Sequence, residues 1–221
     1  MNRPVLLACA ALALAAPVAS AENQVWTQID LAAKPAEGSK FEFGMNAELR
    51  YQPDGELDAV ELRPGLTYEL RGGLSVSGGY LYAVNRRAGP DRKEHRLWQM
   101  VGYDLFKVGE GKFSGRSRVE ERWREETSGT GWRLRQQFAY AHPIGETGLT
   151  LSLSDEATIG LNTTDWGSAS GLQENRARAT AKWKAAGAGW ELGYLNQFRN
   201  GVNGAADETN HHIFAGVSKD F

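Results

Sequence analysis

From residue 41 the chain alternates. Phe41, Phe43, Met45, Ala47, Leu49 and Tyr51 fall on one side of an extended backbone, and Glu42, Gly44, Asn46, Glu48 and Arg50 on the other. Successive side chains of a strand point to opposite faces, so this pattern predicts a β-strand over 41–51. Another, over 58–70, sets Val60, Leu62, Pro64, Leu66, Tyr68 and Leu70 against Glu61, Arg63, Thr67 and Glu69. Pro64 has no N–H for a ladder, so a bulge or local kink is expected there. Further strands are read near 24–33, 73–84, 94–107, 112–125, 131–142, 148–161, 173–185, 189–199 and 209–221. The face of 94–107 is ambiguous, with Trp98 and Met100 opposite Leu97, Val101 and Tyr103. No window past residue 22 carries a helical period.

The connections alternate in length. Those near 71–73, 107–112, 143–148 and 185–189 are short, and those at 85–93, 125–131, 162–171 and 200–208 are longer. Bacterial outer-membrane barrels have short periplasmic turns and longer outer loops. The last strand ends on Phe221 without a polar tail, the usual ending of such a barrel and the signal by which assembly machinery recognises it. The fold class expected is all-β: an antiparallel up-and-down transmembrane β-barrel of roughly 10–12 strands. Eleven segments are read. Single-chain bacterial barrels have even strand numbers, so either 24–33 lies outside the ladder or a strand has been fused or missed.

The N-terminus changes the picture by giving an address. Arg3, an apolar run over 5–18 and Ala19-Ser20-Ala21 make a cleavable secretory signal over 1–21, leaving 22–221 as the barrel domain. Cys9 is the only cysteine. Leu6-Leu7-Ala8-Cys9 loosely resembles a lipoprotein signal, but too little apolar sequence precedes the cysteine for that reading. The mature chain then has no disulfide, thiol nucleophile or thiolate metal site. Losing Arg3 moves the formal charge from −2 to about −3, too balanced for nucleic-acid binding by bulk charge. No later stretch approaches the roughly 18 apolar residues of a spanning helix, so only a closed barrel could cross a membrane.

Alternation alone does not say which face meets lipid. A soluble barrel of lipocalin type would bury the apolar face. Aromatic residues argue for the opposite orientation, because they cluster at both ends of the apolar faces, as interfacial girdles do. Tyr51, Tyr80, Tyr82, Trp123, Trp132 and Phe198 fall towards the loops. Phe41, Phe113, Tyr140, Trp183, Trp190 and Phe221 fall towards the turns. Small residues such as Ala177, Ala179 and Ala181 on the apolar face suit lipid better than a packed core.

Several short motifs carry a family likeness: Trp26, Glu48-Leu49-Arg50-Tyr51, Pro64-Gly65-Leu66-Thr67-Tyr68, Gly79-Tyr80, 94–99 with its Glu-His-Arg-Leu-Trp-Gln, 116–122, Trp132-Arg133-Leu134-Arg135 and Phe221. In order and spacing the chain resembles the bacterial barrels grouped as domain-of-unknown-function family 2490, over most of its mature length. The resemblance implies an outer-membrane barrel and no established activity.

With that orientation the charged face lines a lumen. Its acidic residues are Glu42, Glu48, Glu61 and Glu69, with Glu120 further on; its basic residues are Arg116, Arg118, Arg122, Arg133, Arg135, Arg176, Arg178 and Lys182. In a closed ring the acidic and basic groups are expected on opposite walls. Three functions follow from this. A basic ladder could make a narrow pore for small anionic or sugar solutes. Arg–Glu pairs could instead plug the lumen and make a structural barrel. A rim histidine (His95 beside Glu94, or His211 and His212 near Asp207 and Glu208) could serve a hydrolase. No Gly-x-Ser-x-Gly nucleophile motif accompanies the histidines, and adjacent His211 and His212 point to opposite faces, so the chain is not read as an enzyme. No cofactor or metal is implied. The partners expected are outer-membrane lipid, lipopolysaccharide (near Arg86, Arg87, Arg92 and Lys93) and the barrel-assembly machinery, with the chain a monomer in the outer membrane of a Gram-negative bacterium.

Overall fold

A computed structural model describes residues 23–86, 89–201 and 205–221. The proposed leader and Arg87 lie outside the described residues. The chain forms eleven strands: β1 (Gln24–Ala33), β2 (Phe41–Tyr51), β3 (Leu57–Glu69), β4 (Leu74–Asn85), β5 (Arg92–Val108), β6 (Gly111–Arg124), β7 (Gly131–Pro143), β8 (Thr150–Gly160), β9 (Gly171–Ala185), β10 (Ala188–Arg199) and β11 (Glu208–Asp220). Each pairs with its neighbours in sequence, and β1 pairs with β11 to close a barrel. The neighbouring pairs are antiparallel, but the closing pair is parallel, from Gln24↔His212 to Ala32↔Asp220. An odd count requires this, since strands alternate in direction and the first and last then run the same way. The eleven segments read along the sequence are the eleven strands, within the 10–12 expected, and only the even count is corrected here. β1 belongs to the ladder, and a parallel seam satisfies its backbone groups as an antiparallel one would.

Strand ends are set by local chemistry. β9 and β10 join through Ala186 and Gly187, at φ 54° and 72°. Positive φ at both positions is the tight hairpin geometry whose twist matches the strands it connects. The bulge expected at Pro64 is not found. The β3–β4 ladder lapses between Leu62↔Tyr82 and Gly65↔Gly79 and resumes in the same register, while the β2 side pairs Met45 with Pro64. The carbonyl of Tyr80, which stands opposite Pro64 in that register, accepts the indole N–H of Trp98 at 3.3 Å. Trp98 thus supplies the donor that proline lacks. Its ring lies so close to Gly65 and Gly79 that a Cβ at either would stand 2.6 or 2.8 Å from it.

Burial alternates along much of the ladder, with large apolar residues outside. Phe43, Phe106, Phe138 and Ile213 are each at least half exposed, at 57%, 58%, 50% and 58%. The inside holds charged residues and two small apolar clusters, one of Trp26, Leu195 and Phe214, the other of Leu81, Ala83 and Trp98. Trp98 faces inward with Met100 packed beside it, which settles the face of β5: Leu97 and Val101 are outside. The outer surface is not purely apolar. At mid-height Asn175 donates to Asp155 at 3.0 Å, and Ser117, Gln136 and Tyr103 bond to one another.

Candidate functional site: a charged lattice and the cavity beneath it

Period two places a Glu and an Arg two residues apart on the same side of a strand, with side chains adjacent. In the order Glu-x-Arg the spacing occurs five times within strands, at 48–50, 61–63, 94–96, 120–122 and 174–176. Arg50 Nη2 donates to Glu48 at 2.5 Å and to Glu61 on the next strand at 3.2 Å. Arg63 donates to the other oxygen of Glu61 at 3.2 Å. Arg96 donates to Glu94 at 2.5 Å and reaches past β4 to Glu61 at 3.4 Å. Arg122 grips both oxygens of Glu94, at 2.7 and 3.0 Å. Glu120 receives Arg133 at 2.5 Å and Arg135 at 3.5 Å, and Arg118 lies 3.6 Å away. Glu156 takes Arg135 and, at 3.0 Å, Arg116. Arg176 pairs with Glu174.

Carboxylates and guanidiniums therefore alternate around the lumen rather than facing each other as two walls. The two-wall expectation is corrected. It failed because Glu94 and Arg96 of β5 and Glu156 of β8 were missing from it: β5 carries bulky apolar side chains on both faces, so its inward charges were not recognised. The repeated Glu-x-Arg spacing was the available signal.

Aromatic rings fill what the lattice leaves open at the loop end. Trp26, fully buried, has the guanidiniums of Arg50 and Arg176 at 4.1 and 4.8 Å from its ring centre and stacks on His212. Trp166, from the 161–170 loop, covers Arg122 and Arg124 at 5.2 and 4.8 Å, donates to the Gly129 carbonyl at 3.2 Å and accepts Arg124 on its own carbonyl at 2.6 Å. Sequence reading gave neither tryptophan a place inside, since alternation counts an inward indole as a misfit.

Below the lattice the lumen widens into a cavity of about 790 Å³ that runs to the turn-end rim at Gly148, Lys184 and Asp220. Glu42, Arg178 and Lys182 line it. Arg178 sits over the Phe214 ring at 4.0 Å, and Lys182 reaches Glu191 at 3.6 Å. Glu69 stands apart from the lattice, exposed at the turn end, where Lys34 donates to it at 2.9 Å.

The remaining sequence candidates lie outside the lumen. Tyr80, Trp132, Trp183 and Trp190 are each more than a third exposed on the outer surface. Tyr51 and Trp123 also point outward, at the loop ends of their strands. Phe221 is 73% exposed, and its N–H bonds the Ala32 carbonyl at 2.9 Å across the seam. The histidines do not converge. His95 faces outward against Tyr80, Tyr82 and Glu125; His211 faces outward against Tyr194; His142 bonds Tyr140 near the turns; His212 alone is buried, bonded to the Gln24 N–H and to Gln197. Among the described residues no three of His, Cys, Asp and Glu gather as a metal site. Lys93 pairs with Glu125 at 3.6 Å, and Arg92 is exposed beside it.

Comparison with known proteins gives two likenesses. A family model described as protein of unknown function (DUF2490) matches residues 23–209. An uncharacterised protein of Methylorubrum extorquens is 29% identical over 199 residues, covering 87% of this chain and 84% of its own. No solved structure matches.

Proposed function

We propose that this chain, which belongs to the DUF2490 family of proteins of unknown function, is an outer-membrane barrel sealed by its own side chains, with a structural rather than a conducting role. One observation carries the reading: the charges are inside and most of them are paired, while the large apolar side chains are outside. Glu120 is 1% exposed and Ile213 58%, the reverse of a water-soluble fold. Such a surface is at rest in hydrocarbon, which a closed ladder crosses with every backbone group bonded. Outward tryptophans at both strand ends suit the two interfaces. On this reading short turns face the periplasm, the leader is cleaved on export, and the partners are lipid, lipopolysaccharide and the machinery that inserts barrels.

A pore for anionic or sugar solutes would need a water path through the loop half. The Arg–Glu lattice, Trp26 and Trp166 stand in that path. A hydrolase would need its groups to converge, and the histidines are dispersed among tyrosine, amide and single-carboxylate partners.

The test is electrical and spatial. The mature protein should fractionate with the outer membrane and, folded into planar bilayers, give no discrete conductance steps. Reproducible unitary steps from the pure protein would remove the sealed reading. Recovery in the soluble periplasmic fraction would remove the membrane one.

A further inference from the structure

The cavity beneath the lattice has an imbalance that the lattice itself does not. Its deeper carboxylates are already engaged, while Glu42 and Asp220 line it nearer the turns. Asp30 takes bonds from Gln28 and Asn46, each at 2.6 Å; Glu156 is held by two arginines; Glu191 takes Thr180 at 2.6 Å and lies near Lys182. Three of its cations, Arg118, Arg63 and Arg178, are less fully engaged. Arg118 is 4% exposed, has one carboxylate 3.6 Å away and a thioether at 3.5 Å, and its Nε is buried without a partner. The charges of Arg116, Arg63 and Arg135 all bear on it. Arg63, which also lines the cavity, bonds Glu61 and Asn46 through its terminal nitrogens but has a second buried Nε without a partner. Arg178 lies over the Phe214 ring and forms no ion pair among the described residues, although the charges of Glu191 and Glu48 bear on it. A buried donor left unpaired in a native protein calls for an explanation, and a bound ion is one of the few available.

We propose that the turn-end cavity binds a water-borne oxyanion, a multivalent carboxylate or a phosphate ester of organic-acid or sugar-phosphate size, with Arg118 and Arg63 as its deepest contacts and Arg178 beside them. Guanidinium forks match carboxylate and phosphate oxygens in pairs. Arg118 is held for this, because its plane lies 5.2 Å from the ring of Trp98, which is itself pinned by Gly65, Gly79 and the Tyr80 carbonyl. A volume of about 790 Å³ falls within the range of small-molecule sites and exceeds what a bare phosphate would fill. The strands fence the cavity from anything beside the barrel, and the rim is polar, so the occupant comes from the aqueous phase. The site is a blind pocket, distinct from a pore, and its existence does not depend on where the barrel resides.

The experiment is isothermal titration of the mature barrel, refolded in zwitterionic detergent, with citrate, inorganic phosphate and glucose. Folding is checked by heat-modifiable gel mobility. Citrate should bind saturably at one site per chain, phosphate more weakly, and glucose not at all. Losing one charge-assisted contact should weaken citrate about tenfold in Arg118→Gln and in Arg178→Gln. Among the described residues Arg178 takes part in no ion pair, so its variant decides the matter should Arg118→Gln fail to fold. No saturable heat from citrate or phosphate with the folded wild type would overturn the proposal. So would equal citrate affinity in wild type and Arg178→Gln, or binding only when anionic lipid is added to the micelles.

Discussion

Glu120 accepts Arg133 and Arg135 and lies beside Arg118, with almost no access to water. Removing its charge while keeping its shape leaves Arg133 and Arg118 without a carboxylate among the described residues and Arg135 with Glu156 alone, and breaking one partner of a buried ionic group costs about 3–5 kcal/mol. Arg116 bonds Glu156 too, but its side chain is 36% exposed and Glu156 keeps Arg135. Its loss should cost no more than about 1 kcal/mol. Glu120→Gln is therefore expected to lower the urea midpoint of the folded barrel, read by tryptophan fluorescence, several times more than Arg116→Gln. Equal shifts would mean that the lattice carries no special stability. The parity of Glu120, Arg118 and Arg135 was legible in the sequence because hydrophobic neighbours mark the other face. That of Glu94 and Arg96 was not, because Trp98 and Met100 share their side. Which carboxylate each arginine chooses depends on distances across the lumen, which no local pattern contains.

At the scale of elements, the strands themselves were legible to within two residues at each end, because turns rich in Gly, Pro, Asn and Asp punctuate the alternation. The closure was not. An evenness rule drawn from other barrels pointed to a missing or surplus strand, while the chain closes eleven by pairing β1 with β11 in parallel. A cross-link reads that seam directly. Ile29 and Val217 are register partners there and face outward, within the Cα separation a disulfide spans. The double variant Ile29→Cys with Val217→Cys should form a disulfide in the folded barrel, seen as a shift on a non-reducing gel. Ile29→Cys with Ile213→Cys, offset by four residues along β11, should not. A bond in the offset pair, or in neither, would place β1 elsewhere.

At the scale of the molecule the barrel is asymmetric along its axis: packed with ion pairs and indoles at the loop end, hollow at the turn end. Both the sealed function and the blind anion pocket need that asymmetry. Thiol access can measure it, since the only native cysteine, Cys9, lies in the stretch read as a leader. Ser152 lines the cavity, whereas Ala83 is 1% exposed behind the lattice, paired with Glu94. In the folded protein Ser152→Cys should react readily with a hydrophilic maleimide, and Ala83→Cys only after unfolding. In intact cells the proposed orientation adds a direction. Ser152→Cys should resist a membrane-impermeant reagent until the outer membrane is permeabilised, because the only way in is from the periplasmic turns. Labelling of Ser152→Cys from outside intact cells would mean either that the loop half admits solute or that the barrel is inverted, and labelling of Ala83→Cys in the folded state separates the first from the second.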